Sequence, residues 1–179
     1  MIISIGRGAT IARLLPEISA MLRDPLLTLE RVRLCKRDGQ RLGEPRHLPE
    51  TDESGLPLWQ KLMIYTGEGA RYNGHPLYIE LVHELRRAGA SGATVVRGIW
   101  GYHGDHAPHG DSLFSLPRRV PLVTVVVDTP ERIRQWFEIV DALTQETGLV
   151  TSEIVPASHA LAPGSTKRSL RLARPRSSQ

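Results

Sequence analysis

Two spacings of apolar residues alternate along this chain. At 77–88 and 130–145 they recur every three or four residues, the period of a helix with one buried face. Leu77, Leu81, Val82, Leu85 and Ala88 make the first stripe. Pro76 suits its first turn and Gly89 its end. Asp128-Thr129-Pro130 caps the second helix and Gly148 stops it. Around them, 59–66, 93–100, 122–127 and 149–155 are short runs with the β-branched and aromatic content of strands. The order over 58–156 is therefore β-α-β-β-α-β. It predicts an α+β, ferredoxin-like domain, with two helices on one face of an antiparallel four-stranded sheet. The run at 122–127 is apolar on both faces. In so small a domain, this predicts that the face without helices packs on another subunit.

The first 35 residues repeat half of that pattern. Ile11, Leu14, Leu15, Ile18 and Met21 each stand 122 positions before Ile133, Trp136, Phe137, Val140 and Leu143. With strands expected at 1–5 and 28–35, residues 1–35 read as a β-α-β half-copy of the later domain. In a ferredoxin-like sheet the third and fourth strands flank the first, so a half-copy alone leaves backbone edges unpaired. This predicts a tandem of two domains with a further half ahead of the chain, or another segment or subunit filling the slot. Residues 36–57 are rich in Gly, Pro and charge without periodicity, and read as a linker.

Composition narrows the picture. The chain has 179 residues and a net charge of +4. Lys167, Arg168, Arg171, Arg174 and Arg176 lie beyond 156 with no acid among them, so the rest carries −1 (4 minus 5). The charge belongs to a Pro- and Ser-rich stretch at 157–179 that reads as a disordered basic tail. Arginines so sparse, without interleaved aromatics, do not predict specific nucleic-acid binding. One cysteine, no signal peptide and no apolar run of about 20 residues predict a cytoplasmic protein.

Several motifs resemble one family. Leu62-Met63-Ile64-Tyr65-Thr66-Gly67-Glu68, the run from Arg71 to Tyr78, the run from Gly92 to Tyr102, and Gly148-Leu149-Val150-Thr151 resemble the bacterial family DUF190. The resemblance covers 58–156, and residues 1–38 resemble the second half of another member. It implies a PII-like fold, shared with the PII nitrogen regulators and the CutA divalent-ion tolerance proteins. Those are trimers whose sheets face inward, with clefts between subunits. PII proteins hold adenine nucleotides there and touch a transporter or enzyme through a long loop. Members of DUF190 are often encoded near proposed fluoride channels, which implies a membrane transport partner.

Candidate chemistry falls in two places. Phosphate binding needs backbone N–H groups and fixed cations. Arg97-Gly98 with Gly101, Gly67-Glu68 with Arg71, and the helix start at Asp128-Thr129 are expected near one edge, lining an intersubunit cleft. No Walker or GxGxxG spacing is present. Together with the resemblance, these residues predict a regulatory binder of ATP, ADP or AMP that requires no cofactor and is not an enzyme. The second place is the loop at 101–119, where His103, Asp105, His106 and His109 supply imidazole and carboxylate suited to zinc, copper or nickel. That reading predicts a divalent-metal binder in the CutA manner. The other reading of the loop is solvated histidines.

Overall fold

The computed structural model describes residues 2–23, 26–101, the backbone of 109–110, and 120–156. The chain divides into two compact units, Met1–Arg31 and Val32–Gln179.

The first unit contains one helix, α1 (Gly8–Met21), with Pro16 inside it and no buried residue. The expected strand at 1–5 is not formed over residues 2–5, and residues 26–32 are not a strand either. A strand needs a neighbour to take its backbone hydrogen bonds, and apolar alternation alone does not supply one. The sequence match between α1 and the last helix does not extend to burial. Ile133, Trp136, Phe137, Val140 and Leu143 are at most 7% exposed, whereas Met21 is 84% exposed.

The second unit holds the remaining elements. They are β1 (Arg33–Arg37), β2 (Gln40–Arg41), β3 (Trp59–Gly67), β4 (Arg71–Tyr72), β5 (His75–Pro76) and α2 (Leu77–Arg87). Then come β6 (Thr94–Arg97), β7 (Trp100–Gly101), β8 (His109–Gly110), β9 (Pro121–Asp128), α3 (Pro130–Leu143) and β10 (Leu149–Val155). The main sheet runs β2-β1-β10-β3-β9-β6. Its last four strands, β10-β3-β9-β6, stand in the 4-1-3-2 order of a ferredoxin-like sheet, all antiparallel. The fold is α+β, as the periodicity predicts.

Alternation along β3 and β9 sets the two faces. Leu62 and Ile64 on β3 and Leu122 and Val126 on β9 are buried. Together with Leu81 and Leu85 of α2 and Ile133, Phe137 and Val140 of α3 they form the core. Each such side chain contributes about 1.5–3 kcal/mol on burial. On the opposite face Met63, Tyr65, Val123 and Val125 are only half-buried, and Val96 and Val127 are exposed. Lys61 and Glu153 form an ion pair of 2.5 Å on that face.

The segment read as a linker departs most from expectation. The sheet has six strands because residues 33–41 fold into a hairpin on the outer edge of β10. Asp38 and Gly39 both take positive φ, 49° and 78°, the type I′ turn that suits a right-twisted hairpin. A register shift between Leu34 and Lys36 marks a bulge at Cys35, whose side chain joins the core. Strand pairing and core contacts override the loop-like composition here. The tail at 157–179 lies outside the described residues. Among the described residues, no helix is long and apolar enough to cross a membrane.

Candidate ligand-binding site

One end of the sheet gathers most of the residues expected to hold an anion. Gly67, the last residue of β3, pairs with Pro121, the first of β9. Arg97, the last residue of β6, pairs with Leu122. The strand ends thus bring residues 67, 97 and 121 together although they lie far apart in sequence.

A short turn follows β3. The Ala70 N–H donates to the Gly67 carbonyl at 3.0 Å, and the Glu68 N–H donates to the Val120 carbonyl at 2.9 Å. The Glu68 carboxylate then reaches sideways to Arg97. Arg97 Nε donates to Glu68 Oε1 at 3.3 Å and Nη2 to Oε2 at 3.2 Å. The pair is two-pronged but about a third exposed, so it stabilises by only about 0.2–1 kcal/mol. Arg71 Nη1 donates to the carbonyls of Glu68 and Ala70 at 3.1 and 3.2 Å, drawing the guanidinium back over the turn.

Residues 67–76 include a short hairpin. Strands β4 and β5 pair through Arg71↔Pro76 and Tyr72↔His75. Asn73 and Gly74 make the turn with φ of 49° and 83°. Asn-Gly is a strong sequence signal for this turn. The Leu77 N–H at the start of α2 donates to the Ala70 carbonyl at 3.0 Å, fixing the hairpin on the helix. Tyr72 packs against the core.

The glycines divide into two kinds. A Cβ at Gly67 or Gly69 would meet nothing within 4 Å, so a ligand can approach the backbone there. A Cβ at Gly98 would stand 2.7 Å from Pro121 Cγ, and one at Gly101 3.2 Å from the same atom. The Gly98 N–H also donates to the Pro121 carbonyl at 2.7 Å. The close approach that a glycine permits at Gly98 is made by Pro121.

Asp128 and Thr129 do not join this group. They lie at the far end of β9, seven residues beyond Pro121, or roughly 23 Å at the rise of a strand. Asp128 is 3% exposed and accepts from Trp136 Nε1 at 3.1 Å and from the Thr129 N–H at 2.9 Å. Its role there is to satisfy an indole and a helix start. Thr129 is the N-cap residue of α3 but makes no side-chain cap bond. The expectation of one shared edge failed because β9 spans the whole sheet between them.

His103, Asp105 and His106 lie outside the described residues, as does the side chain of His109. Strand β8, which includes the His109 backbone, pairs with β7 through Trp100↔Gly110 and Gly101↔His109. Among the described residues, no three His, Cys, Asp or Glu side chains converge as metal ligands do.

Residues 59–157 match the family model DUF190, described as "Uncharacterized ACR". A "UPF0166 protein" of Aquifex aeolicus is 33% identical over 94 residues, 52% of this chain and 88% of the relative. A second "UPF0166 protein", from Methanocaldococcus jannaschii, is 33% identical over 89 residues, 50% of this chain and 82% of the relative.

Proposed function

Because this chain belongs to the DUF190 family, we propose that it is an oligomeric, PII-like regulatory protein that senses a small anionic ligand, an adenine nucleotide. The ligand lies at the sheet end formed by Gly67, Glu68, Arg71 and Arg97. Binding alters the excursion of the chain after Arg97, which acts on a partner such as a membrane transport protein. The observation that carries this reading is the Arg97–Glu68 pair, which stores a guanidinium beside open backbone. An arriving phosphate exchanges one carboxylate for a stronger anion on the same fork. The displaced pair costs little, since it is partly exposed.

Homo-oligomerisation is supported by the half-buried apolar residues on the helix-free face of the sheet. A ferredoxin-like unit of this kind suits a trimer, with the ligand in the cleft between copies. We read the protein as a binder rather than an enzyme: among the described residues, Glu68 and Arg97 bond each other as a two-pronged recognition pair does.

Calorimetry with ATP, ADP and AMP tests the reading. Glu68→Gln is expected to tighten binding by roughly two- to fivefold, as the competing carboxylate is lost. Arg97→Ala is expected to weaken it by at least about tenfold. No heat with any of the three nucleotides at millimolar concentration would defeat the proposal. Weaker binding in Glu68→Gln would instead make Glu68 a direct ligand contact.

A further inference from the structure

Helix α1 carries the same apolar stripe as α3 but a different charge. Ile11, Leu14, Leu15, Ile18 and Met21 fall within an arc of roughly 120°, at the 100° turn per residue of a helix. In α3 the matching stripe is buried. In α1 no residue is buried. The apolar residues at its two ends are exposed as well: Ile2, Ile3 and Ile5 before it, and Leu22 after it.

The charges around the stripe differ in sign. Over 129–145, Arg132 and Arg134 face Glu131, Glu138 and Asp141, a net −1 (2 minus 3). Over the matching 7–23, Arg7, Arg13 and Arg23 face Glu17, a net +2 (3 minus 1). The three acids of α3 are replaced by Ala9, Pro16 and Ser19, and the arginines stand where Thr129, Gln135 and Gln145 do. Glu138 and Asp141 are the groups by which α3 holds Lys36 and Arg41 of the hairpin. Helix α1 therefore lacks the polar anchors that fasten α3 within the protein.

An apolar stripe bordered by arginines complements an anionic bilayer surface, where hydrocarbon takes the stripe and phosphate the cations. With 14 residues α1 is roughly 21 Å long, short of the ~30 Å hydrocarbon core, so it suits the plane of the surface rather than a span. Pro16 fits this placement. The hydrogen bond it withholds is the one to the Ala12 carbonyl, and both residues stand outside the stripe, on the side that stays wet.

We propose that α1, with residues 2–5 ahead of it, is an anchor that lies in the surface of an anionic phospholipid bilayer. This goes beyond the nucleotide site and does not rest on it.

Co-sedimentation of the full chain with vesicles tests the proposal. Phosphatidylcholine vesicles with about 30% phosphatidylserine are expected to bind it at least about tenfold more tightly than phosphatidylcholine alone. Leu14→Asp is expected to abolish binding, and Arg13→Gln to weaken it about fivefold. Trp59, Trp100 and Trp136 all lie in the second unit, so their fluorescence checks that the variants leave that unit folded. Changing Lys167, Arg168, Arg171, Arg174 and Arg176 to Gln separates the contribution of the basic tail. Binding that persists without those cations and fails in Leu14→Asp supports the proposal. Binding that Leu14→Asp leaves unchanged overturns it. Wild type that binds neither kind of vesicle overturns it too, and a change of oligomeric state in Leu14→Asp by light scattering then assigns the stripe to a protein surface.

Labels sensitive to water give a second readout. In a Cys35→Ala chain, a nitrobenzoxadiazole group on Met21→Cys lies on the stripe, and one on Ala20→Cys lies opposite it. On the anionic vesicles the first is expected to shift to the blue and the second to keep its emission in water. Equal shifts, or none, overturn the placement.

Discussion

Gly39→Ala separates a docked hairpin from a loose linker, and the structure supplies its own control. Gly39 has φ of 78°, and a Cβ there would stand 2.0 Å from the backbone oxygen of Gln145 and 2.9 Å from its carbonyl carbon. Gly55 has φ of 75°, and a Cβ there would meet nothing within 4 Å. Both positions carry the same backbone cost, about 1 kcal/mol for an alanine in the left-handed region. Only Gly39 adds a collision with main chain, which cannot rotate away as a side chain can. The turn must withdraw by more than an ångström, stretching the bond from the Asp38 N–H to the Gly148 carbonyl. Overpacking of this kind costs a further ~1–3 kcal/mol. We expect Gly39→Ala to lose about 2–4 kcal/mol and Gly55→Ala about 1 kcal/mol. For a unit of this size, that predicts a Tm roughly 5–10 °C lower for Gly39→Ala. Urea unfolding followed by tryptophan fluorescence measures both. Equal losses in the two variants would refute the docking of the hairpin on the α3–β10 connection.

Two further predictions concern buried groups. Burial pushes the Cys35 thiol from an ordinary 9.0 up to about 11, with Arg33 and Arg41 opposing the shift. The folded state thus holds this proton more tightly than the unfolded chain. Its contribution is fully present below pH 9 and is lost as pH rises towards 11. The stability difference between wild type and Cys35→Ala should shrink across that window in urea titrations, and a constant difference would contradict the assignment. Asp128→Ala should cost about 2–4 kcal/mol, because the Trp136 indole N–H and the Thr129 N–H lose their acceptor. Its nucleotide affinity should match wild type in calorimetry, since the proposed site lies at the other end of the sheet.

What the sequence determined by itself was the plan of 58–156. The stripes at 77–88 and 130–145 and the runs at 59–66, 122–127 and 149–155 state their elements locally, because side-chain period follows directly from backbone geometry. The ferredoxin-like order then follows, since few topologies accept that succession. Glu68, Arg71 and Arg97 were also legible, as charged residues beside glycines at strand ends. Local pattern failed where a partner distant in sequence decides the outcome. Ile2-Ile3-Ser4-Ile5 has strand composition and no strand. Residues 33–41 form a hairpin although 36–57 has loop composition, because Cys35 finds the core and Lys36 finds Asp141, 105 positions away. Gly98 has the composition of a ligand-binding turn, but Pro121 fills it, and Asp128, expected beside Arg97, is separated from it by the length of β9. Periodicity records which face of an element is buried. Only the assembled sheet sets which residues meet at its ends and edges, because those contacts depend on the register between strands.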